Sequence, residues 1–291
     1  MKKEKIVNGT DAAEINNKKA ITLNSNSRSK CVGCKFCGTY SLSEDDAVDF
    51  STEDKIQQYF ETLLKVNNIQ DMSGIENITV CTGCFKNEDA LVDHLLTLRE
   101  GTGNLGFNGS INYIGSQLRD YDKVKLLKDT IGDFGIYLTI EKFLERERFM
   151  KKEKASLTLE KARDLLQYSS SIGVTSTFLY ILGLEDLETV EKYMNYFKGS
   201  INKFPIVQVF QDYTPEQENY RCEDAKKLDY YLKDDIKEIL FVIGPEGGFT
   251  NNEEDFLIQN GFSSTTLGKR ILRVETAAIY VASIINYIYE G

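Results

Sequence analysis

The sequence predicts an α/β protein in which six strand–helix units form a partial (β/α)6 barrel, followed by a shorter α/β segment. Two observations predict the barrel. Short apolar runs alternate with helical stretches from about residue 19 to 235, and no Gly/Ser linker interrupts them. A third predicts the last segment, because a glycine-rich pattern begins near Asp235. We therefore expect two domains, 1–235 and 236–291, and the 291 residues suffice to bury their cores.

The six units follow one another in a regular order along the chain. Ser51 or Thr52 is expected to cap the first helix, and Gly173 to end the fourth by adopting a positive φ. The predicted strands are 20–25, 78–81, 111–115, 135–140, 175–182 and 204–210. The predicted helices lie near 52–66, 86–99, 119–129, 157–170, 185–198 and 222–233.

The net charge, the apolar runs and the histidine content limit the kinds of substrate, location and metal site that we expect. A net charge of −10 repels phosphate backbones on average, so a small-molecule substrate is favoured over nucleic acid. The N-terminus has no apolar run of a secretory signal, and no stretch of about 18 apolar residues is present. These features predict a cytoplasmic protein without a membrane partner. The single histidine, His94, excludes a multi-histidine metal site.

The cysteines suggest a metal centre. Cys31, Cys34 and Cys37 lie in KCVGCKFCGTY directly after the first strand. Clustered thiols in a cytosolic chain favour metal or redox chemistry over disulfides. Three thiolates can hold three irons of a 4Fe-4S cluster and leave the fourth iron open. Two alternatives remain: zinc bound by the pairs Cys31/Cys34 and Cys81/Cys84, or ordinary buried cysteines at 81 and 84.

With this motif, residues 15–235 resemble the radical S-adenosylmethionine superfamily, whose Cys-x-aromatic-Cys matches Cys34 to Cys37. The first spacing, from Cys31, is two residues where that family usually has three. The resemblance implies a radical-type barrel in which the open iron binds S-adenosylmethionine and a 5′-deoxyadenosyl radical attacks an unknown small substrate. It also implies an electron donor such as flavodoxin or ferredoxin.

Further cofactor contacts are implied by strand order in that family. Two of them, Arg148 and Lys154, lie in ERERFMKKEK, whose alternating charges are by themselves typical of a solvent-exposed helix face. The implied contacts come from the loop after the second strand, the end of the fourth, the basic residues after it and the fifth-strand glycine motif. They are Thr82, Gly83, Cys84, Glu141, Arg148, Lys154 and Gly183.

The last segment carries a second pattern, IGPEGGFTNNEEDFLIQNGF followed by LGKRILRVETAA. Its glycines admit close approach of a ligand to the backbone. The segment resembles the C-terminal half of SPOUT-class methyltransferases, which modify uridine N3 of small-subunit ribosomal RNA. This resemblance implies a truncated knotted fold, a homodimer through the last helix, and two loops that bind S-adenosylmethionine. The loop residues are Gly244, Glu246, Gly247, Gly248, Leu267, Gly268, Arg270, Leu272 and Arg273.

Two hypotheses of function follow. The first is a radical S-adenosylmethionine enzyme. The alternative is a ribosomal RNA (uridine-N3) methyltransferase that has RNA as its partner, or a non-functional fusion of the two. The alternative is placed second because the RNA-binding barrel and the first half of the methyltransferase knot have no counterpart in this sequence.

Overall fold

The computed structural model describes residues 13–16, 19–23, 33–37, 50–210, 214–222, 241–244, 248–260, 262 and 277–282. Within these ranges no helix combines the length and apolarity needed to cross a membrane. The cytoplasmic location stays a prediction.

The centre of the fold is a sheet of seven strands in the order β1 to β7. β1 pairs antiparallel with β2, and the pairs from β2 to β6 are parallel. The strands are β1 Ala13–Asn16, β2 Ala20–Leu23, β3 Asn77–Val80, β4 Ser110–Gly115, β5 Phe134–Glu141, β6 Thr175–Leu182 and β7 Ile206–Val209.

One row of side chains shows how the strand register builds the core. Ile21 pairs with Ile78, Ile78 with Ile111, and Ile111 with Phe134. All four residues are 0% exposed. Burial of each such side chain contributes about 1.5–3 kcal/mol relative to exposure, so this row stabilises the parallel pairing across four strands.

Helices connect the strands and begin at side-chain caps. The Thr52 side chain accepts a hydrogen bond from the Lys55 N–H at the start of α1, and Asn87 caps α2 in the same way through Ala90. Gly173, with φ of 77°, follows α6. The helices are α1 Glu53–Val66, α2 Glu88–Gly103, α3 Tyr121–Ile131, α4 Arg146–Phe149, α5 Lys152–Ala155, α6 Leu159–Ser171, α7 Leu187–Phe197, a 3₁₀ turn Gln217–Tyr220, α8 Asn251–Gln259 and α9 277–282.

The α/β class and the parallel sheet are confirmed, as are the six predicted strands and five of the predicted helices. The radical type of barrel is not supported. The sequence did not predict β1, α4 or α5, which are all four residues long and carry little periodic signal. The apolar run ILFVIG (239–244) before the glycine-rich loop also predicts a strand. Of this run, residues 241–244 are described and are not in a strand. Nearly all of the predicted helix 222–233 lies outside the described residues.

The chain divides into two compact units. Unit 1 comprises residues 1–141, 145–180 and 197–206, and unit 2 comprises 142–144, 181–196 and 207–291. The predicted domain boundary after residue 235 lies outside the described residues and stays a prediction.

Candidate functional site

The carboxyl edge of the parallel sheet in unit 1 gathers polar residues. Cys81 and Thr82 follow β3, Ser116 follows β4, and Glu141 ends β5. Parallel strands end at the same edge of a sheet, which is where ligands bind in many α/β proteins. The Cys81 N–H donates to the Leu23 carbonyl at 2.7 Å, which places this loop beside the end of β2.

A largely buried ion pair lies at this edge. Lys154 Nζ donates to both carboxylate oxygens of Glu141, at 2.9 and 3.1 Å. The two side chains are only 14% and 15% exposed. Burial by itself would lower the pKa of Lys154, but the Glu141 carboxylate and the nearby Cys34 outweigh it and raise the pKa above the ordinary lysine value. Glu141 also has a left-handed backbone, with φ of 62°, a conformation that costs free energy in a residue other than glycine.

Four half-buried cysteines, Cys34, Cys37, Cys81 and Cys84, belong to the same unit. Burial raises the pKa of the Cys34 and Cys81 thiols, and the Lys154 ammonium opposes the shift in both. The Cys37 thiol interacts electrostatically with both of these thiols. The edge therefore combines reduced thiols with a fixed positive charge.

The Gln117 side chain, which is not among the predicted site residues, holds the loop after β3. Gln117 accepts the Phe85 N–H at 2.6 Å and donates to the Phe85 carbonyl at 2.8 Å. This amide pair fixes the turn at Gly83, which has φ of 80°. The sequence signal that could have found it is its position, since Gln117 is the second residue after the end of β4.

Three hydroxyl groups at the ends of neighbouring strands are buried, those of Thr82, Ser116 and Thr139. None of the three has a hydrogen-bond partner among the described residues. A buried hydroxyl without a partner costs about 1–3 kcal/mol, so a polar ligand or water at this edge would stabilise the site.

Two predicted contacts have other partners. Arg148 is 67% exposed at its side chain and pairs with Glu145 at 3.2 Å. Gly183, in unit 2, has φ of 103°, and its carbonyl accepts the Cys222 N–H at 2.7 Å.

The glycine-rich loop of unit 2 is partly described. A Cβ at Gly244 would lie 3.3 Å from the Gly248 backbone carbon and from the Phe249 ring, so Gly244 lies close to both of these residues. Gly248 has φ of 75° with open space where a Cβ would be. Thr250 then begins α8 through a capping box with Glu253. These hydrogen bonds from Thr250 lower the pKa of the Glu253 carboxyl.

The remaining predicted site residues lie outside the described residues, so their contacts stay predictions. They are Cys31, Glu246, Gly247, Leu267, Gly268, Arg270, Leu272 and Arg273.

Comparison with known proteins places one similarity in the second half of the chain. Residues 187–286 match the family model described as an RNA methyltransferase domain. The ribosomal RNA small subunit methyltransferase E of Mesomycoplasma hyopneumoniae is 35% identical over 89 residues, which are 29% of this chain and 39% of that protein. Its namesake from Synechocystis is 45% identical over 70 residues, 23% of each chain. This chain thus spans less than two fifths of either relative.

Among solved structures, Streptococcus suis SuiB bound to S-adenosylmethionine overlaps with a TM-score of 0.47 at 12% identity. The overlap covers 84% of this chain and 48% of that one. This likeness is too low to bear on function.

These findings make the prediction of a radical enzyme wrong. The family model and the curated relatives match RNA methyltransferases, which contradicts the radical reaction and leaves the predicted small-molecule substrate and electron donor without support. The prediction of a 4Fe-4S cluster is not supported either. Cys34 and Cys37 share a turn, but the described residues contain no group of three His, Cys, Asp or Glu side chains arranged to hold a metal.

Proposed function

We propose that the part of the chain from about residue 187 to 286 is an S-adenosylmethionine-dependent methyltransferase unit that modifies small-subunit ribosomal RNA at uridine N3. The match of these residues to the RNA methyltransferase domain carries the proposal. The identity of 35–45% to two curated small-subunit methyltransferases supports it. We assign the segment 236–291 to the truncated SPOUT-like knot.

The glycine-rich loop fits the cofactor. Gly248 leaves open space beside its backbone, where a side chain would otherwise stand between the loop and a ligand. The Thr250–Glu253 capping box fixes where α8 begins and hence the direction of the preceding loop. When bound, S-adenosylmethionine supplies an electrophilic methyl group on its sulfonium. The residues proposed to hold it are Gly244, Glu246, Gly247, Gly248, Leu267, Gly268, Arg270, Leu272 and Arg273.

The RNA partner requires local positive charge, because the whole chain has a net charge of −10. Lys269, Arg270 and Arg273 supply such charge within one short stretch of the second proposed loop. We infer that this charge attracts the RNA to the unit, and that methyl transfer weakens as salt is raised. A homodimer through the last helix remains a prediction.

The test is transfer of tritium from methyl-labelled S-adenosylmethionine to undermodified small-subunit ribosomal RNA. We expect label in the RNA with the full chain and loss of label with Arg273→Ala. Arg163→Ala in α6 of unit 1 is the matched control and should retain transfer. Absence of transfer by the unmodified chain would overturn the proposal.

A second prediction concerns cofactor binding by the loop. Gly248→Ala places a side chain at φ of 75°, which costs about 1–2 kcal/mol. We expect the loop to relieve this strain by leaving the conformation that binds the cofactor, which should weaken binding of S-adenosylmethionine roughly 5–30-fold. Equilibrium dialysis with labelled cofactor measures the affinity. Gly132→Ala has a similar φ of 86° and similar open space, but it lies in unit 1. The control should leave the affinity unchanged, and equal weakening by both variants would count against the loop as the cofactor site.

A further inference from the structure

Cys34 and Cys37 are the two ends of a tight turn. The Cys37 N–H donates to the Cys34 carbonyl at 3.2 Å, which closes a four-residue turn. In such turns the first and last Cα atoms lie within about 7 Å. A disulfide spans Cα atoms about 4.4–6.8 Å apart, so the backbone of this turn is compatible with a disulfide between the two cysteines.

The turn is held in place by its surroundings in unit 1. The Lys35 N–H donates to the Phe149 carbonyl at 2.8 Å. The Phe36 side chain is only 4% exposed, whereas both cysteines remain partly exposed. The two thiols are thus reachable by a small reagent on a backbone that is already ordered. Little entropy is lost on closing so short a ring, which favours an internal disulfide over a lasting adduct with the reagent.

We propose that Cys34 and Cys37 form a reversible dithiol–disulfide pair that is oxidised by low-molecular-weight disulfides of the glutathione class. One cysteine thiolate attacks a sulfur of oxidised glutathione and releases one glutathione thiolate. The other cysteine then attacks the mixed disulfide and releases the second glutathione. The two cysteines together lose two electrons and two protons, and oxidised glutathione becomes two molecules of glutathione. This site does not depend on the proposed methyl transfer.

Burial and the Lys154 charge act in opposite directions on the reactivity of Cys34, and burial has the larger effect. Burial raises the pKa of Cys34, and the Lys154 ammonium works against that shift. Only the thiolate attacks a disulfide, so oxidation is expected to be slow at neutral pH and to accelerate as the pH rises.

The experiment equilibrates the full chain in glutathione buffers of increasing oxidation, followed by alkylation, digestion with trypsin and mass spectrometry. Trypsin cleaves after Lys30, Lys35 and Lys55. The disulfide therefore links the peptide 31–35 to the peptide 36–55. We expect this linked pair to appear with oxidation and to disappear on return to reduced glutathione.

Variants identify which thiols are joined, because Cys31 shares a peptide with Cys34. The link should persist in Cys31→Ser and in the control Cys84→Ser, and should be lost in Cys34→Ser. A link that survives in Cys34→Ser, or no link in oxidised glutathione, would overturn the proposal. Metal analysis of the purified chain is the second readout: a bound metal that protects both thiols from alkylation would also overturn it.

Discussion

Replacing Lys154 with methionine should lower the free energy of unfolding by about 3–5 kcal/mol, the usual cost of removing one partner from a buried ion pair. Methionine keeps an unbranched side chain of similar length but removes the ammonium. The Glu141 carboxylate, 15% exposed, would then lose both hydrogen bonds that Lys154 donates to it. Urea denaturation of the variant and the unmodified chain measures the difference.

The control for Lys154→Met is the same substitution in an exposed pair. Lys125 bonds Asp129 at 2.8 Å, with side chains 59% and 60% exposed. Lys125→Met should leave the denaturation midpoint almost unchanged, since solvent screens such pairs. The double variant Glu141→Gln/Lys154→Met should recover part of the loss, because neither charge is then left alone. A loss below about 1 kcal/mol for Lys154→Met would mean that the pair behaves as a surface pair.

The pH dependence of this pair follows from the direction of the shift. The pKa of Lys154 in the folded chain is raised above its unfolded value, despite the opposing effect of burial. Its stabilising contribution is therefore fully present below the unfolded pKa, about 10.4, and is lost only as the pH rises through the higher folded pKa. The difference in stability between Lys154→Met and the unmodified chain should thus be constant from pH 7 to 9, which urea denaturation at several pH values in this range would measure.

The order of the elements was predictable because it depends on local periodicity. The prediction of a strand at 175–182 coincides with β6, and that of a helix at 157–170 differs from α6 by two residues at its start and one at its end. β1 was not predictable in this way, because the strand Ala13–Asn16 is specified by pairing with β2.

The sequence did not predict that charged side chains of the site, those of Arg146 and Lys154, are largely buried. The alternating charges from Glu145 to Lys154 predicted a solvated face, and the exposed Arg148 agrees with that prediction. Arg146, however, is only 7% exposed, and the Lys154 side chain only 14%. Their burial depends on contacts with other segments, such as Glu141 at the end of β5, which charge patterning along one helix does not contain.

The two family resemblances differed in how much sequence supports them. The cysteine motif rests on three residues in a seven-residue loop, and such short spacings occur at unrelated metal and redox sites. The methyltransferase pattern extends from Gly244 to Arg273 with two separate glycine loops, and the family model matches across it. The longer pattern, rather than the motif with the more distinctive chemistry, agrees with the comparisons.

The substitution Glu185→Gln should also lower the free energy of unfolding by about 3–5 kcal/mol, for a reason internal to unit 2. Both side chains of the Lys142–Glu185 pair are almost fully buried, 5% and 3% exposed, with their charged atoms 3.4 Å apart. The Glu185 carboxylate also accepts the N–H groups of Phe143 at 2.9 Å and Leu144 at 2.6 Å. It therefore joins the segment 142–144 to the residues that follow β6.

Glutamine retains the shape of Glu185 but has only one acceptor oxygen. Its amide nitrogen must face one of the two backbone N–H groups, and the Lys142 ammonium loses its carboxylate in a buried site. Glu188→Gln, an exposed position in the first turn of α7, is the matched control and should change the unfolding midpoint little. In the double variant Lys142→Met/Glu185→Gln the charge mismatch is removed, so part of the loss should be recovered. If the double variant lost the sum of both single effects, the two side chains would be acting independently, and the ion pair would not be what holds this segment.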